Sequence, residues 1–263
     1  MNLVYLNGSY LPQEEACLPV ADRSLAYGDG VFTTMKVVGG APLFLRKHLE
    51  RLTRDAAAIH LAAPVGEVEA ACFGLVSRLG MEDGTLKVVL TRGSGPRGLS
   101  TRNVVGPSVV VSASELPGPR PGLRTISVPD ERGPLAAHKT LNYLPNIIAL
   151  RRAEEAGCEE AVFARDGLLL EATTSNLVGE VEGILLTPPL GGRVLGGVAR
   201  EVLLEEGAVR EGNLPADVSG PLYCLNSVRG IELVVELDGR PLCSDTKVQR
   251  LLERVLERRS HFW

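Results

Sequence analysis

The sequence predicts an α/β protein of two domains, an N-terminal α/β unit followed by a β-rich C-terminal unit with helices. Three observations predict it. The chain has 263 residues, more than one average domain of roughly 150 residues. Strand and helix patterns alternate in the first part, whereas hairpin signals dominate the second. Between them, Glu115–Gly122 carries Pro117, Pro119 and Pro121 and reads as a linker. The expected domains are therefore 1–114 and 123–263, with 115–122 joining them. Hydrophobic residues at 44% and charged residues at 23% are the balance of a globular chain.

Leu3–Leu6 reads as a first strand, turned by Asn7-Gly8 into a second at Ser9–Leu11. Val31–Val38 is a β-branched run ended by Gly39-Gly40. Leu49, Leu52, Ala56 and Ile59 recur at helical spacing within Arg46–His60, as do Val68, Ala71, Cys72, Leu75 and Leu79 before Gly80. Leu86–Thr91 and Ser108–Ser112 are strands around a Gly-rich loop. After the linker come a strand at Leu123–Val128 and a helix from Tyr143 to Ala156. The Asp166-Gly167 and Glu182-Gly183 turns define two hairpins. A helix at Val198–Glu206, strands at Leu222–Leu225 and Ile231–Leu237, and a helix at Lys247–Arg258 complete the chain.

Several function classes are disfavoured. The net charge of −4 lacks the basic field that carries nucleic-acid affinity. Apolar stretches such as Pro107–Ala113 are far shorter than the roughly 18 residues a membrane span needs. Met1–Leu6 lacks a leader's basic flank and cleavage site, so a cytoplasmic protein is expected. The five scattered cysteines, with no Cys-x-x-Cys pair, suggest small buried hydrophobes in a reducing compartment. No His, Cys and Asp cluster has metal-ligand spacing, so no metal is assigned.

Only five lysines occur, at 36, 47, 87, 139 and 247. Lys139, in His138-Lys-Thr-Leu-Asn-Tyr143, stands between an irregular loop and an apolar helix. Desolvation there would make its amine a nucleophile, although the residues taken alone favour a solvated loop lysine. Glu171 ends a strand beside a polar turn. A buried carboxylate needs a partner, which a protonated pyridine nitrogen would supply. An ordinary turn glutamate capped by Thr173 or Thr174 is the alternative. The Gly-rich stretch Thr187–Arg200 runs into a helix whose free N–H groups suit a phosphate, but it is neither a dinucleotide nor an ATP motif.

Taken in order, Asn7-Gly8, Tyr27-Gly-Asp-Gly-Val-Phe32, His48-Leu-Glu-Arg-Leu52, His138-Lys-Thr-Leu-Asn142, Glu171-Ala-Thr-Thr-Ser-Asn-Leu177 and Leu195-Gly-Gly-Val-Ala-Arg200 resemble the successive signatures of class IV (fold type IV) pyridoxal-phosphate enzymes. The likeness spans nearly the whole chain and implies an N-terminal α/β sandwich and a C-terminal pseudo-barrel. It implies pyridoxal 5'-phosphate as cofactor, Lys139 as Schiff-base lysine and acid/base, and Glu171 at the pyridine nitrogen. Arg51, the backbone N–H groups of Val198 and Ala199, and the Ser227 hydroxyl would hold the phosphate. Some relatives have Thr in place of Ala199. A homodimer acting on a small-molecule substrate is also implied.

Three reactions share the scaffold: branched-chain transamination, D-amino-acid transamination, and cleavage of 4-amino-4-deoxychorismate to 4-aminobenzoate and pyruvate. Phe32-Thr-Thr-Met-Lys-Val37 resembles the lyase pattern, whereas the transaminases usually carry Glu where Thr33 stands. Thr91-Arg-Gly-Ser-Gly-Pro-Arg-Gly-Leu-Ser-Thr101 is similar to the lyase loop, with Leu99 replacing its Tyr. Leu225-Asn-Ser-Val-Arg-Gly-Ile231 is similar to a lyase segment that some transaminase-like proteins share. The resemblance points to Thr34 as proton donor to the departing pyruvate carbon, and to Arg97 or Arg92 as the fork that binds a substrate carboxylate. The remaining alternatives are a transaminase and a non-catalytic phosphate-ligand binder.

Overall fold

The computed structural model describes residues 3–260, so the outermost ends of the two expected domains lie outside the described residues. Backbone contacts divide the chain into two units. One runs to Leu116 and includes His138–Asn142; the other holds Pro117–Ala137 and the chain from Tyr143 on.

The first unit contains β1 (Leu3–Leu6), β2 (Ser9–Pro12), α1 (Arg23–Tyr27), β3 (Gly30–Val38), β4 (Ala41–Pro42), α2 (Leu45–Ala58), α3 (Val65–Leu79), β5 (Gly84–Thr91) and β6 (Ser108–Ser114). Its six strands form an antiparallel sheet in the order β2-β1-β6-β5-β3-β4. Val31, Thr33, Met35 and Val37 of β3 are buried, while Phe32, Thr34 and Lys36 lie on the opposite, more open face. The buried face packs through Leu86, Val88, Leu90, Val109 and Val111 onto Leu49, Leu52, Ala56, Val68, Cys72 and Leu75 of α2 and α3. Each such Leu or Val contributes about 1.5–3 kcal/mol by leaving water.

Helix α1 carries no apolar periodicity, being only five residues long. It forms because Asp22 caps it, its carboxylate accepting the Ser24 N–H at 2.9 Å, and because Gly28 closes it in the left-handed region at φ 61°. Asp22 is buried and also accepts hydrogen bonds from Thr91 and Ser108.

The second unit contains β7 (Leu123–Pro129), α4 (Leu144–Glu155), β8 (Glu160–Arg165), β9 (Leu168–Ala172), β10 (Asn176–Val181), β11 (Ile184–Thr187), α5 (Val198–Glu205), β12 (Arg210–Glu211), β13 (Leu214–Pro215), β14 (Leu222–Asn226), β15 (Gly230–Leu237), β16 (Arg240–Pro241) and α6 (Thr246–Ser260). Strands β10-β14-β15-β7-β8-β9 follow one another and close into a six-stranded ring where Asn176 pairs with Glu171. All six ring strands contribute to one apolar cluster that includes Leu123, Val162, Leu169, Leu177, Cys224 and Val234, which is the ring's interior. Closure removes strand edges. Both hairpin turns have the expected positive φ at each central residue: 52° and 76° at Asp166-Gly167, 50° and 77° at Glu182-Gly183. The expectation that the cysteines are buried hydrophobes needs correction. Cys72 and Cys224 are buried, but Cys17 and Cys243 are exposed and Cys158 is intermediate.

Candidate active site

In the first unit, residues 138–142 run beside the start of β3. The Phe32 N–H donates to the Lys139 carbonyl and the Leu141 N–H to the Gly30 carbonyl, both at 2.9 Å. The Lys139 N–H in turn donates to Asp55 Oδ2 at 3.2 Å, and His138 Nδ1 lies 3.1 Å from Asp55 Oδ1. Asp55 is a buried residue of α2, so one carboxylate fixes the backbone around the lysine from outside the strand. The Lys139 ammonium lies 4.4 Å from the Phe32 ring centroid, and that of Lys87 lies 5.1 Å from the same centroid. Thr34 is two residues from Phe32 on the same face of β3, directly across from Lys87.

Behind that strand, Arg51 of α2 is 4% exposed and donates through Nη2 to Thr33 Oγ1 at 2.8 Å. Thr33 Oγ1 is also 2.8 Å from His48 Nδ1. Burial, then the charges of Arg51 and Lys139, hold the His48 pKa well below its ordinary value, leaving the ring neutral. The Thr33 oxygen accepts from Arg51, and donation of its hydrogen to His48 Nδ1 would put the ring proton on Nε2. Nε2 is buried with no hydrogen-bond partner among the described residues.

In the second unit, Glu171 at the end of β9 is 5% exposed. Its Oε1 accepts from Arg132 Nη1 at 2.5 Å; its Oε2 accepts from the Leu195 N–H at 2.9 Å and from Asn176 Nδ2 at 3.4 Å. Glu171 therefore does not lack a charge partner within the protein, because Arg132 supplies one. Arg132 also donates from Nε to Asp130 Oδ1 at 2.7 Å, and Asp130 Oδ2 accepts from Arg193 at 3.1 Å. The Arg132 guanidinium stacks 3.7 Å from the Phe163 ring centroid. Nor do Thr173 and Thr174 cap Glu171. Thr173 Oγ1 donates to Glu160 at 2.5 Å, and Thr174 Oγ1 approaches the same carboxylate at 3.5 Å. Burial pushes the Glu160 carboxyl's pKa up.

Asn176 also donates to the Leu195 carbonyl at 2.8 Å, tying the ring closure to the Gly-rich loop. Gly197, the residue before α5, fits there only without a side chain: a Cβ would lie 2.1 Å from Asn176 Oδ1. Among the described residues no side chain caps α5, and Val198 and Ala199 in its first turn are buried. Ser227 lies in the turn between β14 and β15, where the Asn226 carbonyl oxygen of the side chain accepts the Val228 and Arg229 N–H groups.

Of the two loop arginines singled out from sequence, Arg92 is engaged by the protein. Its Nε donates to both oxygens of Asp29 at 2.9 Å, Nη1 to the His60 carbonyl at 3.0 Å and Nη2 to the Ile59 carbonyl at 2.6 Å. Arg97 is exposed. Burial raises the Asp29 pKa, but Arg92 and Arg23 outweigh that and hold it below its ordinary value. Sequence reasoning missed Arg23, Asp55, Asp130, Arg132 and Arg193, whose partners are local in space and mostly remote in sequence. For His48, its place one helical turn before Arg51 was the available signal.

Comparison with known proteins agrees with this layout. The family model described as amino-transferase class IV matches residues 30–237. A protein of Methanocaldococcus jannaschii named "Putative branched-chain-amino-acid aminotransferase" is 30% identical over 272 residues, covering 97% of this chain and 94% of that one. A D-alanine aminotransferase of Bacillus licheniformis is 30% identical over 210 residues, covering 77% and 74%. A solved structure from Legionella pneumophila called "Putative 4-amino-4-deoxychorismate lyase" superposes with a TM-score of 0.85 at 25% identity, covering 94% of this chain and 97% of that one.

The residues present fit the family's cofactor. A primary amine set on an aromatic ring suits an aldehyde. Arg51 and the uncapped N–H groups of α5 are donors suited to a phosphate, and the orphaned His48 Nε2 is a further one when it carries the ring proton. The chain belongs to the class IV aminotransferase family, with the fold type IV architecture and pyridoxal 5'-phosphate as its cofactor.

Proposed function

We propose that this chain is a 4-amino-4-deoxychorismate lyase, a cytoplasmic homodimer that releases 4-aminobenzoate for folate synthesis together with pyruvate. The observation that carries this reading is the hydroxyl of Thr34 on the same face of β3 as Phe32, against whose ring the Lys139 ammonium packs at 4.4 Å. An acid/base amine and a proton-donating hydroxyl thus share one strand face. At the neighbouring position, Thr33 offers Arg51 a neutral acceptor rather than a carboxylate.

In this reading Arg51, His48 Nε2, the Val198 and Ala199 N–H groups and the Ser227 hydroxyl hold the phosphate, and Glu171, steadied by Arg132, faces the pyridine nitrogen. Pyridoxal phosphate, when bound, supplies an electron sink for a carbanion formed beside it. Lys139 takes the proton from the amine-bearing ring carbon of the substrate. The ether bond to the enolpyruvyl group then breaks, and the ring becomes aromatic. Thr34, directly or through water, gives a proton to the methylene carbon of the departing group, which leaves as pyruvate. Arg97 binds a substrate carboxylate with its fork.

Loaded protein given freshly generated aminodeoxychorismate is expected to form 4-aminobenzoate and pyruvate in equal amounts. Thr34→Val should lower kcat by about 10²–10⁴-fold, the usual weight of a proton-transfer group, while leaving cofactor loading intact. The second reading, transamination of branched-chain or D-amino acids, is favoured by the names of the relatives. Glutamate formed from L-leucine or D-alanine with 2-oxoglutarate, without any 4-aminobenzoate from aminodeoxychorismate, would establish it instead.

A further inference from the structure

The loop that carries Arg97 is exposed, yet its backbone is gripped from below by one buried side chain. Arg23, at the start of α1, is 5% exposed. Its Nη1 donates to the Gly98 carbonyl at 2.9 Å and to the Ser100 carbonyl at 3.2 Å, and its Nη2 to the Leu99 carbonyl at 3.3 Å. Three consecutive carbonyls therefore point at one guanidinium. The remaining donor, Nε, bonds Asp29 Oδ2 at 2.7 Å, and Asp29 is itself fixed by Arg92. Tyr27 completes the grip: Arg23 lies 4.8 Å from its ring centroid, and its hydroxyl accepts the Gly98 N–H at 3.0 Å.

Only a planar fork can serve this set of acceptors, because a lysine ammonium is a single point of charge. Drawing the carbonyls inward leaves the side chains of Arg97 and Leu99 outward, where both are exposed. We propose that Arg23 is a specificity-determining positioning residue, which holds the 97–100 segment in the conformation that presents Arg97 to a carboxylate remote from the reacting amine. The inference rests on the carboxylate-binding role given to Arg97 above. Its physical basis is pre-organisation: a loop already ordered loses less entropy when a ligand binds, and misplacing a positioning group by even 1 Å carries a large penalty.

The test uses two variants of the cofactor-loaded protein. R23K keeps the cation beside Asp29 but loses the fork; Y27F removes only the phenol oxygen that receives the Gly98 N–H. Backbone hydrogen exchange over residues 97–103 is read alongside KM and kcat for aminodeoxychorismate. In R23K, exchange in this segment should quicken and KM rise, each by about tenfold, with kcat within about twofold, as loss of ground-state positioning requires. Y27F should shift both in the same direction by less.

Unaltered exchange in both variants overturns the tether. Faster exchange with unaltered KM overturns the recognition role, and a raised KM without faster exchange shows that Arg23 acts by another route and also overturns it. Should R23K fail to fold, Y27F alone decides. If the unsubstituted protein makes no 4-aminobenzoate, the lyase reading is what has failed; KM is then read with the amino acid and 2-oxoglutarate, where an unaltered value in R23K counts against the inference as before.

Discussion

Thr33 links two residues that must be in different electrical states. Its oxygen accepts from the cation of Arg51 and lies 2.8 Å from Nδ1 of the neutral ring of His48. This has a consequence for stability against pH. The folded pKa of His48 lies well below its ordinary 6.5, so on acidification the unfolded chain binds a proton before the folded one does. The stabilisation is present in full above about pH 6.5 and is lost progressively as pH falls below it. Melting temperature should therefore drop between pH 7.5 and 5.5, and His48→Gln should show a shallower drop. Equal slopes for the two proteins would contradict the neutral-ring assignment. At this scale the sequence was legible where chemistry is unusual. A scarce lysine beside a helix start and a carboxylate at a strand end could be singled out. Arg132 could not, because it is 39 residues from the carboxylate it grips and one of many arginines.

At the scale of elements, the closure of the C-terminal ring and the Glu171 carboxylate are one construction. Asn176 opens β10, pairs with Glu171 across the ring and bonds the Leu195 carbonyl in the loop before α5. Arg132 grips Glu171 and Asp130 together. Arg132→Met should therefore cost about 3–5 kcal/mol in urea unfolding, the usual penalty for stranding buried charge. A cost below about 1 kcal/mol, within the range of exposed pairs, would mean that the network is not a buried unit. Hairpins were the most legible elements, since Asp166-Gly167 and Glu182-Gly183 impose their own backbone geometry whatever surrounds them. Helix α1 was illegible for the opposite reason. It is too short for an apolar pattern, and its cap residue is buried by Thr91 and Ser108, 69 and 86 residues away.

For the whole molecule, the ordered family signatures made the two-unit architecture and the cofactor readable, because their residue types and order carry the likeness whatever element each one falls on. What they could not convey is that His138–Asn142 belongs with the first unit, since nothing in a polar loop's composition records which strand it lies beside. Among the described residues no helix is long and apolar enough to cross a membrane. Exposed Val20 at 87%, Leu25 at 72% and Val105 at 79% are consistent with the proposed homodimer. Sedimentation equilibrium should give twice the chain mass at micromolar concentration; a single-chain mass there would contradict the assembly.

The attachment of the cofactor to Lys139 is what the whole assignment depends on, and borohydride reduction of the loaded protein followed by peptide mass analysis tests it most directly. The expected result is one stable pyridoxyl adduct, on the peptide containing Lys139, which disappears in Lys139→Ala. An adduct carried by Lys36 or Lys87, or no adduct on a protein that has bound the cofactor, would contradict the account.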